Sequence, residues 1–78
     1  MKEIEYCPLE TIIRDEKDKK KIIVYTFFSN IGDPQFKWET YVSGEDEQGY
    51  LKWLETAYNK TYKEALSYHM SFVRKYSE

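Results

Sequence analysis

The sequence predicts an α+β fold, in which a three-stranded antiparallel β-meander is followed by two C-terminal helices packed on one face. Residues 22–28 are an almost unbroken run of β-branched and aromatic side chains, and residues 35–42 alternate between apolar and polar. From residue 43 onward, the apolar residues recur with the spacing of a helix. Because the strands precede the helices along the chain, the helices are expected to cover one face of the sheet.

The composition predicts a single small domain spanning residues 1–78. Hydrophobic residues make up 41% of the chain and aromatic residues 18%, which is too rich in large apolar side chains for a disordered segment. The net charge of -2 provides no overall field that would attract nucleic acid or an anionic membrane. A single cysteine, Cys7, cannot form an internal disulfide, and no membrane span or apolar signal region is recognisable. We therefore expect a cytoplasmic location and no membrane partner.

Residues 9–14 are predicted to form the first strand, although they also fit a short helix that begins after Cys7 with Pro8. The strand is preferred because the central strand, residues 21–29, needs a hydrogen-bonding neighbour on each side. The charged loop at residues 15–20 is short enough to return the chain beside it. Residues 3–7 also alternate, which leaves open a fourth strand at the N-terminus.

The central strand is apolar on both faces, whereas its partner strand is apolar on one. Residues 30–34 concentrate turn-forming residues between the two strands. On the apolar face, the partner strand at residues 35–42 carries Phe36, Trp38, Thr40 and Val42. Whichever way the central strand faces, apolar side chains are left on the sheet face that the helices do not cover.

The first helix is predicted to begin at Ser43, three residues before Asp46, with acidic residues at its positive end. Its apolar stripe consists of Tyr50, Leu51, Leu54, Ala57 and Tyr58. A second capping pattern, Thr61 followed by Glu64, predicts that a new helix covers residues 62–76. The apolar face of this helix carries Tyr62, Leu66, His69, Met70, Val73 and Tyr76.

No group of residues in the sequence predicts catalysis. His69 is the single histidine, and it is interpreted as part of a helical apolar stripe because no orienting partner is identifiable. Cys7 is interpreted as a small apolar side chain, and one histidine with one cysteine does not give the ligand spacing of a zinc site. Acidic residues 45–47 would point in different directions on a helix. The prediction is a non-enzymatic protein without a metal or cofactor.

The uncovered sheet face predicts a binding function. Aromatic residues are enriched at the centres of protein interfaces, and eight tyrosines exceed what one small core can bury. The candidate partner-binding residues are Ile23, Tyr25, Phe27 and Tyr41 on the sheet and Trp53 on the first helix. Their partner is expected to be another protein or a second copy of the chain in a homodimer. The predicted role is that of a small regulator or inhibitor, of the kind that viruses and mobile elements carry.

Two alternative functions follow from other features. The basic residues Lys19, Lys20 and Lys21 precede the aromatic residues Tyr25 and Phe27, a combination found in proteins that bind single-stranded nucleic acid. Acidic residues interrupt this tract and nearly neutralise it, so nucleic acid is the less favoured partner. A small enzyme is the third alternative, for which the sequence indicates no site.

Overall fold

The computed structural model describes residues 2–5, 9–15, 17–18, 20–29 and 37–78, and these residues form five strands and one helix. The elements are β1 (Lys2–Glu5), β2 (Glu10–Asp15), β3 (Lys21–Phe28), β4 (Trp38–Glu45), β5 (Leu51–Asn59) and α1 (Tyr62–Ser77). Each strand pairs antiparallel with the next, so the sheet order follows the chain. The predicted α+β class is confirmed, but the prediction of three strands and two helices is wrong in detail.

The N-terminal part of the chain confirms the strand interpretation of residues 9–14. Strand β2 pairs with the central strand β3 in a register that sets Thr11 against Val24. The fourth strand that the sequence left open is also present as β1, which pairs with the opposite edge of β2. The remainder of its predicted range, residues 6 and 7, lies outside the described residues, as do Cys7 and Pro8.

Strand β3 is the central strand of the sheet, as predicted, and β4 pairs with it as its predicted partner. Val24 pairs with Val42, and both side chains are fully buried under α1. Because side chains alternate between the two faces of a strand, Thr26 and Thr40 lie on the same covered face, which we call the inner face. The predicted turn at residues 30–34 and the first two residues of the predicted range 35–42 lie outside the described residues.

The helix predicted from Ser43 to about residue 59 is wrong. Strand β4 continues to Glu45, a tight turn follows, and β5 returns antiparallel beside it. Asp46, one of the acidic residues 45–47, stabilises this turn. Its carboxylate accepts hydrogen bonds from the backbone N–H groups of Gln48 and Tyr50 at 2.9 and 3.0 Å. Gly49 supplies the positive φ of 87° that closes the turn, a conformation that glycine adopts without strain.

The helical spacing of apolar residues in the segment 50–58 has a structural cause. The pairing of β4 with β5 shifts between Val42 and Ser43, where β5 contains one extra residue, Leu54. A bulge of this kind interrupts the two-residue period of a strand. Leu54, which lies against Gly44, and Ala57, which pairs with the buried Thr40, consequently share the inner face three residues apart, whereas Leu51 pairs with Glu45 on the outer face.

The C-terminal helix is confirmed. Thr61 is its N-cap: its hydroxyl accepts the backbone N–H of Glu64 at 3.2 Å and contacts the Glu64 carboxylate at 3.0 Å. The helix lies across β2, β3, β4 and β5 and buries Ala65, His69 and Val73 against them. In the described part of the chain, no helix has both the length and the apolar character that a membrane span needs.

The core between α1 and the inner face is small. Among the described residues, its buried apolar side chains are Ile13, Val24, Val42, Ala65 and Val73. Buried polar side chains are equally numerous there: Thr11, Thr26, Thr40, Asn59 and His69. None of the described aromatic side chains is buried. The fully buried core therefore consists of small side chains, and the half-buried Ile22, Phe72 and Tyr76 pack against it.

Candidate functional site

The candidate site is the sheet face that α1 does not cover, which we call the outer face. The strand neighbours of the buried Thr11, Val24 and Val42 point away from the helix. The outer face carries Ile12, Ile23, Tyr25, Phe27, Tyr41, Trp53, Thr56 and Tyr58. All five residues that the sequence proposed for partner binding therefore share one face of the sheet.

Three rings on this face, those of Tyr25, Phe27 and Tyr41, form what we call the aromatic stack. Their centroids are 5.6 to 5.9 Å apart, and their planes are inclined by 20° or less. The strand register causes this arrangement, because Tyr25 pairs directly with Tyr41 and Phe27 follows two residues later on the same face. Offset-stacked rings at this distance contribute about 0.5–1.5 kcal/mol per pair beyond their burial. The sheet holds the three rings as one unit.

The Tyr41 phenol is fixed at the middle of the outer face. Its hydroxyl donates a hydrogen bond to the Glu39 carboxylate at 2.9 Å. This bond, together with partial burial and a hydrogen bond with Tyr58, raises the pKa of Tyr41 above its ordinary value. The phenol therefore stays protonated at physiological pH and acts as a donor, not as a base.

Trp53 and Ile23 extend the apolar surface beside the stack. The sequence placed Trp53 on a helix surface, which is wrong, because β5 is extended at this position. Trp53 pairs with Ser43, which pairs with Ile23, so the three residues form one row across the sheet. The Trp53 indole N–H donates to the Thr56 hydroxyl, and 65% of the residue is exposed. A large apolar ring is thus held in place at the surface.

Tyr58 is a residue of the outer face that sequence reasoning missed. It pairs with Glu39, contacts the Tyr41 hydroxyl and is 55% exposed. The error followed from the predicted helix, which assigned Tyr58 to an apolar stripe. The signal that was available is the alternation of Thr56 and Tyr58 with the smaller Ala57.

Charged residues lie at defined positions around the aromatic stack. Glu10 pairs with Tyr25 and Glu39 pairs with Phe27, so two carboxylates flank the rings. Arg14 and Lys21 pair with each other at the opposite end of β2 and β3. Lys21 is four residues, or about 13 Å, from Tyr25 along the strand. Lys19 lies outside the described residues.

His69 belongs to a buried polar chain on the inner face. Its Nε2 lies 2.8 Å from the Thr11 hydroxyl and its Nδ1 lies 2.9 Å from the Thr26 hydroxyl, which is 2.8 Å from the Thr40 hydroxyl. Three strands supply these threonines at inward-facing positions, and one helix supplies the histidine. A neutral imidazole satisfies the arrangement, because one ring nitrogen donates a hydrogen bond and the other accepts one.

The sequence interpretation placed His69 on an apolar stripe and did not predict these hydroxyl partners. The available signal was that Thr11, Thr26 and Thr40 each alternate with outward-facing residues on their strands, which places their hydroxyls on the covered face. Burial lowers the pKa of His69 below its usual value, because removal from water disfavours the charged form. The side chain is fully buried, so a substrate in solution cannot reach the imidazole.

A shallow cavity of about 210 Å³ lies at the end of the sheet where β2 turns into β3. Its carboxylates are engaged with the backbone: Asp15, Asp18 and Glu45 accept N–H groups from Lys17, Lys20 and Lys21 at 2.8 to 2.9 Å. Among the described residues, no group of three or more His, Cys, Asp and Glu side chains is arranged to hold a metal ion.

Comparison of the chain with protein-family models, with curated proteins and with solved structures finds no match. The function is therefore inferred from the geometry of the outer face.

Proposed function

We propose that this protein is a non-enzymatic regulator or inhibitor that binds a protein partner through its outer face. The position of the aromatic side chains carries the proposal: none of those described is fully buried, and three of them stack together where no helix covers the sheet. An ordered apolar patch on an uncovered face is typical of protein interaction sites.

The residues around the aromatic stack indicate the chemistry of the partner. The stack provides apolar area, while Glu10 and Glu39 add negative charge beside the rings. A complementary surface is apolar and offers lysine or arginine side chains, whose stems cover the rings and whose charged groups meet the carboxylates. Rigid rings also lose little conformational freedom on binding, which favours affinity.

Two observations favour a protein over nucleic acid as the partner. Each ring of the stack packs against the other two, so part of the area that a base would stack on is already in contact within the chain. The carboxylates of Glu10 and Glu39 are nearer to the rings than Lys21 is, and they repel phosphate. The burial of His69, whose ring is bonded to threonine hydroxyls, supports a non-enzymatic role.

Site-specific photocrosslinking in cells tests the proposal. A benzoylphenylalanine in place of Tyr58 would present the crosslinker on the outer face, and the same substitution at Tyr68 would present it on α1. The two sites are matched, because both are tyrosines and they are 55% and 50% exposed. We expect a defined crosslinked protein from position 58 and none of the same mass from position 68.

The crosslinked protein, identified by mass spectrometry, is then purified and titrated against the chain at two salt concentrations. Micromolar or tighter binding that Tyr41→Lys weakens supports the proposal. Equal crosslinking from both positions, or crosslinks only to nucleic acid, contradicts it. Binding to single-stranded DNA that falls steeply with added salt would favour the nucleic-acid alternative.

A further inference from the structure

We propose that, in the absence of a partner, two copies of this chain pair through their outer faces as a twofold dimer. This inference rests on the proposed function, because it assigns the same face to self-association and makes the dimer a competitor of the partner. Arg14 and Glu10 both belong to the outer face, and neither forms an ion pair with a residue whose side chain the structure describes. Glu3 of β1 is the strand neighbour of Arg14.

The spacing of these charges on β2 makes the face complementary to itself. Ile12 lies midway between Glu10 and Arg14, two residues from each. A twofold axis that crosses the strands at Ile12 exchanges the two positions. Arg14 of one copy then lies over Glu10 of the second copy, and the same pair forms again on the other side of the axis. Complementary charges of this kind fix the register of an interface.

The adjacent strands fit the same axis. Ile12, Ile23, Ser43 and Trp53 form one row across β2 to β5, so each meets its counterpart at the axis. On β3, Lys21 and Tyr25 are two residues on either side of Ile23, which brings the Lys21 ammonium over the Tyr25 ring of the second copy. One axis therefore allows an ion pair, a cation–π contact and a centre in which Ile12, Ile23 and Trp53 supply the apolar area. Glu5, which ends the same row on β1, lies at the edge of the sheet.

The area of the face is near the minimum for a specific dimer. Four strands and six residues of each give about 20 Å by about 20 Å, from a strand spacing of about 4.8 Å and a rise of about 3.3 Å. Because side chains make the surface uneven, its accessible area is larger than this flat estimate. Two copies therefore bury on the order of 1,000 Å² in total, which is the lower limit of specific interfaces. The area buried on each copy is roughly a tenth of the 5517 Å² accessible surface of that copy. The dissociation constant of a dimer of this size is expected to be micromolar or higher.

The small core contributes limited stability, so covering the outer face would stabilise the fold further. Its buried apolar side chains are no larger than isoleucine, and burial of equally many polar side chains limits the hydrophobic gain. Small folds commonly gain stability by oligomerisation. A second copy is the cover that is present wherever the protein is made.

Charge reversal with rescue tests the arrangement. Arg14→Glu and Glu10→Arg each set like charges over one another at the dimer axis, whereas the double variant restores opposite charges. Sedimentation equilibrium from about 1 µM to about 1 mM should show that each single variant raises the dissociation constant about tenfold or more, and that the double variant recovers most of this loss. The control is Arg74→Glu, an equal charge reversal at an exposed position of α1, which should leave dimerisation unchanged.

The outcomes separate this inference from the proposed function. A monomer over the whole concentration range, or a dimer that neither single variant weakens, overturns the inference. A double variant that stays as weak as the singles overturns the proposed axis. The photocrosslinker at Tyr58 lies beyond the paired rows, so it reports a partner whether or not the dimer forms. In the monomeric Arg14→Glu background, crosslinking to the partner should rise if the dimer competes for the face.

Discussion

The two faces of the sheet combine polar and apolar side chains in different ways. On the covered inner face, three threonine hydroxyls and an imidazole form a continuous hydrogen-bonded chain. On the outer face, which nothing in the described chain covers, stand the stacked rings of Tyr25, Phe27 and Tyr41. The buried polar groups of the inner face are therefore paired within the chain, whereas the stacked rings of the outer face remain available for contacts outside it.

The inner face gains specificity from its polar chain. A buried hydroxyl or imidazole destabilises a fold unless it is paired, and these groups pair with one another across the β2, β3 and β4 strands and α1. Their hydrogen bonds form in only one position of the helix on the sheet, so they fix the packing that a few small apolar side chains leave under-determined. The rings of the outer face are aligned by strand register and by the exposed or half-buried hydrogen bonds of Tyr41 to Glu39 and of Trp53 to Thr56.

Neighbouring isoleucines on β2 provide the largest expected contrast between the faces. Ile13 is 1% exposed on the inner face, whereas Ile12 is half-buried on the outer face. We expect Ile13→Ala to lower the free energy of unfolding by about 2–4 kcal/mol and Ile12→Ala by about 1 kcal/mol or less. Urea denaturation of dilute protein measures both. Equal losses would show that the outer face is covered in the monomer, against the comparison.

A threonine pair gives the next largest contrast. Thr26→Val preserves shape but leaves both the Thr40 hydroxyl and His69 Nδ1 short of a partner, so we expect a loss of about 1–3 kcal/mol. Thr56→Val removes an outer-face hydroxyl that accepts the Trp53 indole N–H, and the released N–H group remains accessible to water. The expected loss there is about 0.5 kcal/mol or less. A Thr26→Val protein as stable as the wild type would mean that the buried chain contributes no net stability.

The stability of the fold should depend on pH through His69. Its pKa is lowered by burial, so the unfolded chain, with a histidine pKa of about 6.5, binds a proton that the folded chain does not. The free energy of unfolding should therefore fall as the pH is lowered below about 6.5, by up to about 1.4 kcal/mol per pH unit, until the folded state also binds the proton. Denaturation between pH 7 and pH 5 measures the slope.

The matched variant for this test is His69→Gln, which retains hydrogen-bonding capacity without a titrating group. Its unfolding free energy should be lower than that of the wild type but nearly flat over the same pH range. Glu55, whose pKa is lowered by hydrogen bonds from Lys75 and Tyr76, affects stability only below about pH 4.5, and so does not confuse the result. A slope that survives in His69→Gln would assign the pH dependence to another group.

The secondary structure was predicted correctly where the apolar residues follow one clear periodicity. It was predicted wrongly where strand pairing or a turn overrides that periodicity. The run 22–28, the alternation around Val42 and the cap at Thr61 identified β3, β4 and α1 correctly, because local pattern and tertiary burial agree there. The segment 43–59 was misassigned because Asp46 caps a turn as readily as a helix, and because a bulge imitates helical spacing.

The outer face was partly predictable for a related reason. An apolar central strand with helices on one side must leave one apolar face uncovered, but the sequence left open which face that is; the structure places the candidates Tyr25, Phe27 and Tyr41 on the uncovered one. Tyr58 needed the correct strand assignment of β5. The hydroxyl chain around His69 joins residues 58 and 43 positions apart, and no local pattern specifies such a contact.

Trp53 provides a small expected change in stability and the sharpest test of what the outer face is for. Because 65% of the residue is exposed, Trp53→Thr should change the unfolding free energy of dilute protein by only about 0.5 kcal/mol. At high protein concentration the wild type should become more stable as the dimer forms, whereas the variant should not. Thermal unfolding at two concentrations, with Tyr68→Thr on α1 as the control, measures the difference. If both variants instead lose the same stability at both concentrations, the outer face stabilises only the single chain. Its aromatic side chains are in that case no more available for binding than the aromatic side chains of α1.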